Sequence, residues 1–349
     1  GFHVRQGGAH AEVLALQAAG ERARGATAYV TLEPCAHAGH TGPCADALVA
    51  AGVSRVVAAM RDPFPQVDGE GFERLQAAGI ETASGLLEAQ ARELNVGFLS
   101  RIERGRPWVR VKLAMSLDGR TALASGDSKW ITGEPARLDG HRWRARAGAI
   151  LTGAGTIMTD DPQLTVRLGD DTPFVPPVRV VLDAGLATVA RGRVREGDAP
   201  TIYLHAPDAK PPRGLAARRA AVPASNGRLD LHAVMRLLAE AGINELHVEA
   251  GATLAGSLLS GGLVDESAIQ PDPDLRLVWQ SAMIVAAAWE QPFDATVTRE
   301  VDFTLGDGQV VRVDTMHQTT HRCVVEVDGW SAVRLPYRGG ELFADLLLP

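Results

Sequence analysis

Cysteine is scarce, with three residues in a chain of 349. An odd and sparse set does not suit a secreted disulfide scaffold, so a reducing, cytoplasmic setting is expected, with thiols free for chemistry. No apolar run approaches the roughly 20 residues needed to cross a bilayer, so no membrane span is expected. The start lacks a basic stretch followed by an apolar core, so no signal peptide is expected, and Gly1-Phe2-His3 reads like the interior of a protein. Positive charge is also in short supply. Thirty-five Lys and Arg face 42 Asp and Glu, a net charge of -7, and no basic groove with interleaved aromatics is visible, which argues against nucleic-acid partners. Repeats and low-complexity tracts are absent. What remains is ordinary globular composition, 46% hydrophobic and 22% charged, with room for two or three domains.

Helix and strand patterns alternate up to about residue 266, an α/β arrangement. Val53 to Met60 and Val178 to Leu182 are near-continuous apolar runs, as in buried parallel strands. Helical spacing marks Ala9 to Ala19, Gly71 to Ala78, Leu86 to Leu94, Pro135 to Arg146 and Leu231 to Ala241. Arg101 to Pro107 is charged and carries two breakers, which predicts a domain boundary there. Past Glu266 the texture changes: Pro271 and Pro273 interrupt the chain, and the remainder alternates apolar and polar residues, favouring antiparallel strands.

His10-Ala11-Glu12 sits at a predicted helix start, Pro34-Cys35 follows a predicted strand, and Cys44 opens another helix. Any one of these residues alone reads as structural. Together, two cysteines and a histidine give a tetrahedral zinc site with one open position, where a water loses its proton near neutral pH. Glu12, two residues beyond His10, is placed to shuttle that proton to a leaving amine. This is the layout of zinc deaminases acting on a heterocyclic carbon. Further along, Gly153-Ala154-Gly155-Thr156 follows a strand, where a glycine turn lets a diphosphate approach backbone amides. It lacks the full dinucleotide fingerprint, so no standard Rossmann domain is expected.

Thr31-Leu32-Glu33-Pro34-Cys35-Ala36-His37, Gly42-Pro43-Cys44-Ala45-Asp46-Ala47-Leu48 and Arg61-Asp62-Pro63 resemble the bifunctional riboflavin-biosynthesis deaminase-reductase family. Val111 to Arg120, Ser128 to Glu134 and Asp160 to Arg167 resemble its reductase half. The resemblance implies a cytidine-deaminase-like domain over 1–104 and a dihydrofolate-reductase-like domain over 105–266. It implies zinc on His10, Cys35 and Cys44, with Glu12 as proton shuttle, deaminating a pyrimidine ribosyl phosphate. It implies NADPH at Ala114, Trp130, Thr156, Asp160 and Gly251, opening the sugar by hydride transfer. Substrate positions would be Ser128, Arg144, Leu164, Arg167 and Glu249; guanidiniums at 144 and 167 suit a sugar phosphate. In isolation, Arg144 reads as a solvated helix position between Arg142 and Arg146. Lys112 is a candidate for proton transfer at the sugar oxygen. Dimers through the reductase half are also implied.

Three departures bear on the sites: His40 replaces a basic residue, Phe64 an Asn, and Ala250 the middle residue of an E-G-G turn. The family has roughly 40 further residues ahead of the equivalent of Gly1, so a sheet without them predicts a weak or inactive deaminase. A reductase with a vestigial deaminase is therefore a second expectation. The tail resembles the middle of a serpin, through Trp289 to Asp294, Met316-His317-Gln318, Leu335 to Gly339 and Leu347-Leu348-Pro349. Ser281 and Ala286 to Ala288 depart from that pattern, and no reactive-centre loop is present. Residues 267–349 are therefore expected to form a serpin-like β-rich fragment without a catalytic part, with Cys323 structural. A third expectation, a non-enzymatic serpin-type interaction module, follows if the α/β head is inert.

Overall fold

The computed structural model describes residues 1–3, 7–38, 41–115, 121, 132–212 and 217–270, and five strands beyond them. The first unit runs α1 (Ala11–Ala19), β1 (Thr27–Val30), α2 (Cys44–Ala51), β2 (Arg55–Ala58), α3 (Glu70–Ala77), β3 (Glu81–Ser84), α4 (Glu88–Leu94) and α5 (Val96–Arg104). Its three strands pair in parallel in the order β1-β2-β3. Parallel neighbours need crossover connections, and α2 and α3 supply them. Leu48 and Leu75 from these helices are buried against Val53, Val56 and Ile80. That packing fixes the N-terminus of α2, and therefore Cys44, beside the end of β1.

The second unit contains β4 (Trp108–Ala114), α6 (Glu134–Arg146), β5 (Ala149–Gly153), α7 (Ala154–Asp160), β6 (Val178–Leu182), β7 (Thr201–His205) and β8 (Arg218–Ala221). A short hairpin, β9 (Ala224–Ser225) and β10 (Arg228–Leu229), leads into α8 (Leu231–Glu240). Then follow β11 (Glu245–Glu249), α9 (Ala252–Ser260) and β12 (Glu266–Gln270). Seven strands pair in the order β12-β4-β11-β5-β6-β7-β8, all in parallel. Val109, Val111, Leu151, Val180, Leu246 and Val248 are fully buried in its core, as expected for strands covered on both faces.

One expectation needs correction. The reductase-like segment does not stop at Glu266: a strand begins there and pairs with β4 from Glu266↔Arg110 to Gln270↔Ala114. Five residues ahead of Pro271 give too short a pattern to read, and it is the free edge of β4 that orders them. Arg101 to Pro107 runs from the last turn of α5 to the residue before β4. Helix α5 runs to Arg104, where Gly105 takes the left-handed conformation (φ 65°) that ends it. Its charges are spent on the second unit: Arg101 donates to Asn244 at 2.6 Å, and Arg104 and Arg106 hold the buried Asp265 at 2.7 and 2.6 Å. The two units are therefore joined by ion pairs at this seam.

In the tail, β13 (Thr298–Thr304) pairs antiparallel with β14 (Val310–Met316). Likewise β15 (Val324–Val327), β16 (Trp330–Pro336) and β17 (Phe343–Leu348) form an antiparallel sheet. These are the antiparallel strands that its alternation suggested. Among the described residues no helix is long and apolar enough to cross a membrane.

Candidate active sites

His10 is the residue ahead of α1, Cys35 follows β1, and Cys44 is the first residue of α2. Their ligand atoms all lie within 4.8 Å of one another. His10 Nδ1 is 3.1 Å from Cys44 Sγ and 3.5 Å from Cys35 Sγ. Zinc bonds of about 2.0–2.3 Å at tetrahedral angles separate such atoms by roughly 3.6–3.8 Å, so these residues need to spread only slightly to take the ion. The electrostatics agree with that fit. A hydrogen bond from the Cys44 thiol, against the cost of burial, brings Cys35 down to about 5, helped by the Cys44 N–H and His10. Cys44 is pushed up because it holds the proton shared with Cys35, and because it is buried beside the Glu12 carboxylate. One thiolate is thus preformed, and the other proton leaves when a cation arrives.

Glu33, the residue before Pro34-Cys35, anchors the zinc loop from beneath. Its buried carboxylate accepts N–H bonds from Asp62 (3.2 Å), Gly69 (3.1 Å), Gly71 (3.0 Å) and Phe72 (3.3 Å). Four backbone donors on one carboxylate tie the loop after β2 to the Cys35 loop. Burial raises Asp62, which accepts from the Phe64 N–H at 2.8 Å. Phe64 lies 6.2 Å, ring to ring, from His37, so an apolar ring occupies the rim where the resemblance implies an Asn. Gly71 approaches this loop closely: a Cβ there would lie 2.0 Å from the Pro34 carbonyl oxygen. Gly71→Ala is expected to destabilise the first unit by about 1–3 kcal/mol, read as a lower urea midpoint.

In the second unit a cleft of about 970 Å³ opens at the carboxyl ends of β4, β11, β5 and β6, where ligands bind open parallel sheets. Ala114, Thr156, Asp160 and Gly251 all line it, together with Leu164 and Glu249. Gly251 is the cap residue ahead of α9 and offers no side chain to it, so among the described residues the first N–H groups of α9, which line the cleft, have no side-chain partner, as an anion requires. A Cβ at Gly155 or Gly251 would meet nothing within 4 Å, so there is room beside the backbone for a diphosphate. This observation fits a nicotinamide dinucleotide. Ala250 lines the same wall.

Beside the cleft, charged side chains converge on Glu249. Arg144 is partly buried, contrary to its reading as a solvated helix position, and makes a two-pronged pair with Glu249, with Nη2 to Oε2 at 2.8 Å. Its Nη1 donates to the Thr165 carbonyl at 2.8 Å. Burial pushes the Glu249 carboxyl up, but Arg144 and the fully buried His247 hold it well below its ordinary value. Burial, then the charges of Arg144 and Arg167, lower His141 to about 4. Neutral His141 accepts the Arg167 N–H on Nδ1 at 3.2 Å. Arg167 itself is exposed and donates to Thr165 Oγ1 at 2.8 Å. Leu164 is buried with φ of 51°, a strained conformation for a side chain of its size and one that clusters at functional sites.

Trp130, Ser128, His40 and the tail motif Trp289 to Asp294 lie outside the described residues, as does Cys323. Sequence reading missed the hairpin residues Gly227, Arg228 and Leu229, which also line the cleft. Its signal was present: Asn226-Gly227 is the strongest short-range hairpin dipeptide.

Comparison with known proteins divides the chain in the same way. Residues 2–60 match the cytidine and deoxycytidylate deaminase zinc-binding region. Residues 107–273 match the RibD C-terminal domain, and 262–349 match the serpin (serine protease inhibitor) family. The riboflavin biosynthesis protein RibD of Escherichia coli is 47% identical over 285 residues, covering 79% of this chain and 78% of that protein. The Haemophilus influenzae protein of the same name is 46% identical over 288 residues, covering 79% and 76%. Among solved structures, Acinetobacter baumannii RibD superposes with a TM-score of 0.71 at 36% identity, covering 100% of this chain and 88% of that one. A diaminohydroxyphosphoribosylaminopyrimidine deaminase/5-amino-6-(5-phosphoribosylamino)uracil reductase from Thermotoga maritima gives 0.65 at 36% identity, covering 76% and 74%.

Proposed function

The chain belongs to the RibD family of riboflavin biosynthesis proteins, and on that premise we propose that it carries out two consecutive steps at two separate sites. The first deaminates a diaminohydroxy-phosphoribosylamino-pyrimidine at the His10–Cys35–Cys44 cluster. The second reduces the ribosyl side chain of the resulting 5-amino-6-(5-phosphoribosylamino)uracil in the cleft beside Glu249. One observation carries this reading: a single chain holds a Cys2His cluster and, apart from it, an open cleft at the ends of a parallel sheet.

At the first site His10, Cys35 and Cys44 would hold zinc, which when bound would acidify a water and so supply a nucleophile near neutral pH. Glu12 would take a proton from the attacking water and return it to the leaving amine as the C–O bond forms and the C–N bond breaks, the water's other proton ending on the ring nitrogen of the product. Glu33 keeps the loop geometry fixed through its four N–H bonds. At the second site NADPH, when bound, supplies hydride to the sugar carbon. Thr156, Asp160 and Gly251 line its seat, and Ala114 and Trp130 complete the assignment. Arg144 and Arg167 offer guanidiniums to the substrate phosphate, with Ser128, Leu164 and Glu249 around the pyrimidine ribose. Lys112 on β4 stands opposite Glu249 on β11, where an ammonium can give a proton to the opening ring oxygen.

The deaminase unit is taken as 1–104 and the reductase unit as 105–270, extended from 266 by β12. The segment beyond it, which resembles a serpin, has no part in either site. A chain ending at Gln270 is expected to retain NADPH oxidation on the deaminated substrate, and loss of that oxidation with the fold intact would give the tail a role. Pairing of two copies through the reductase unit, and residence in the reducing cytoplasm where Cys35 and Cys44 stay free, complete the reading.

A second reading, a reductase with a vestigial deaminase, is favoured by Phe64 at the rim of the first site. Supplying the diaminopyrimidine substrate and following ammonia release beside NADPH oxidation separates the two. The primary reading expects both signals, ammonia first. Oxidation confined to the deaminated substrate, with no ammonia released, supports the second.

A further inference from the structure

Arg228 is the second residue after Asn226 in a hairpin that nothing in the two-step chemistry uses. Asn226 and Gly227 both have positive φ, 52° and 71°, and Arg228 faces Ser225 across the two-residue loop. This is the type I′ geometry whose twist matches the strands it joins. The hairpin is held at its base. The Asp230 N–H donates to the Pro223 carbonyl at 2.8 Å, and the Asp230 carboxylate caps α8 through the N–H groups of His232 and Ala233. Leu229 packs on the main core. The exposed Arg228 is thus carried on a rigid support, and it lines the cleft.

The charges on that wall can be assigned in turn. Glu249 is committed to Arg144, and Lys112 stands beside Glu249 on the neighbouring strand, at the end where substrate is read. The unpartnered N–H groups at the start of α9 suit a diphosphate. Arg228 makes no ion pair or hydrogen bond among the described residues, and it stands on a separate hairpin beyond β8. A dinucleotide lying between these groups has its diphosphate provided for, while an additional phosphate monoester, close to two negative charges, needs its own cation.

We propose that Arg228 recognises the 2′-phosphate of the cofactor and so sets the preference for NADPH over NADH. A guanidinium presents two parallel N–H donors to a phosphate monoester, and a 2′-hydroxyl in its place leaves that fork without a partner. The inference rests on the reading of this cleft as the nicotinamide-cofactor site.

The test is the equilibrium affinity of the full chain for NADPH and for NADH, by calorimetry, in wild type, Arg228→Gln and Arg228→Lys. Arg228→Gln is expected to weaken NADPH by about 10- to 100-fold and to leave NADH within about twofold. Arg228→Lys should fall between, keeping the charge without the fork. The unchanged NADH affinity is the control that the cleft is still folded. An unaltered NADPH/NADH ratio in Arg228→Gln overturns the assignment, as does an equal loss of both, which would make the residue structural. A loss of affinity for the pyrimidine ribosyl phosphate alone would move Arg228 to the substrate and also overturn it. If the wild type bound neither dinucleotide, the cofactor reading itself would fall and take this inference with it.

Discussion

Glu12→Gln is expected to lower ammonia release from the diaminopyrimidine substrate by about 10²- to 10⁴-fold, the usual contribution of a positioned acid–base group. Glutamine keeps the shape of the side chain and loses the ability to take a proton. Zinc content should stay at one ion per chain, because His10, Cys35 and Cys44 supply the ligand atoms and Glu12 does not. NADPH oxidation on the already deaminated substrate should also be unchanged, since that chemistry lies in the other unit. Zinc analysis and the two assays on one preparation check all three statements. A fall in zinc content would make Glu12 a ligand or a structural group.

Arg144→Ala should have the largest effect on stability. It removes the partner of a buried carboxylate, and breaking such a pair from one side costs about 3–5 kcal/mol. For a unit of this size that corresponds to a melting temperature lower by roughly 6–20 °C, alongside loss of substrate binding. Losing only activity, with the melting temperature unchanged, would mean that Glu249 finds another partner. The pH dependence follows from the same pair. Glu249 is held below its ordinary value of 4.5 in the folded chain, so the unfolded chain takes up protons first as the solution is acidified. Its stabilising contribution is present in full above about pH 4.5 and is lost as pH falls through the folded-state value. Urea midpoints should therefore drop on acidification below pH 4.5 in wild type, and drop less steeply in Glu249→Gln.

What the sequence revealed, and what it hid, divides along physical lines. The zinc cluster was legible because each of its members sits at a local signal, a helix start or a strand end. Chemistry that needs thiolates and an imidazole also leaves few alternative residue types. Thr156 and Gly251, which the resemblance singled out, both line the cleft and stand where a strand hands over to a helix. Arg144 was hidden because its neighbours Arg142 and Arg146 make the local pattern look solvated. Only Glu249, from a distant strand, shows that the guanidinium is partly buried. The same holds for Arg101, Arg104 and Arg106, whose run of charge marks a boundary but not its partners, Asn244 and Asp265 from the far end of the second unit. Strand β12 was missed because its order comes from the edge of β4 and little in Ser267-Ala268-Ile269-Gln270 announces it. Arg228 belongs to a different class of omission, since Asn226-Gly227 carried the hairpin signal in plain sight.

If two sites in one chain act in sequence, removing the metal separates them most directly. The zinc-free chain, verified by metal analysis after chelation, is assayed for NADPH oxidation with each substrate in turn. It is predicted to oxidise NADPH with the deaminated uracil substrate at the rate of the zinc-loaded chain, and to show no oxidation with the diaminopyrimidine until zinc is restored. Oxidation of NADPH by the zinc-free chain with the diaminopyrimidine, or loss of oxidation with both substrates, would contradict it.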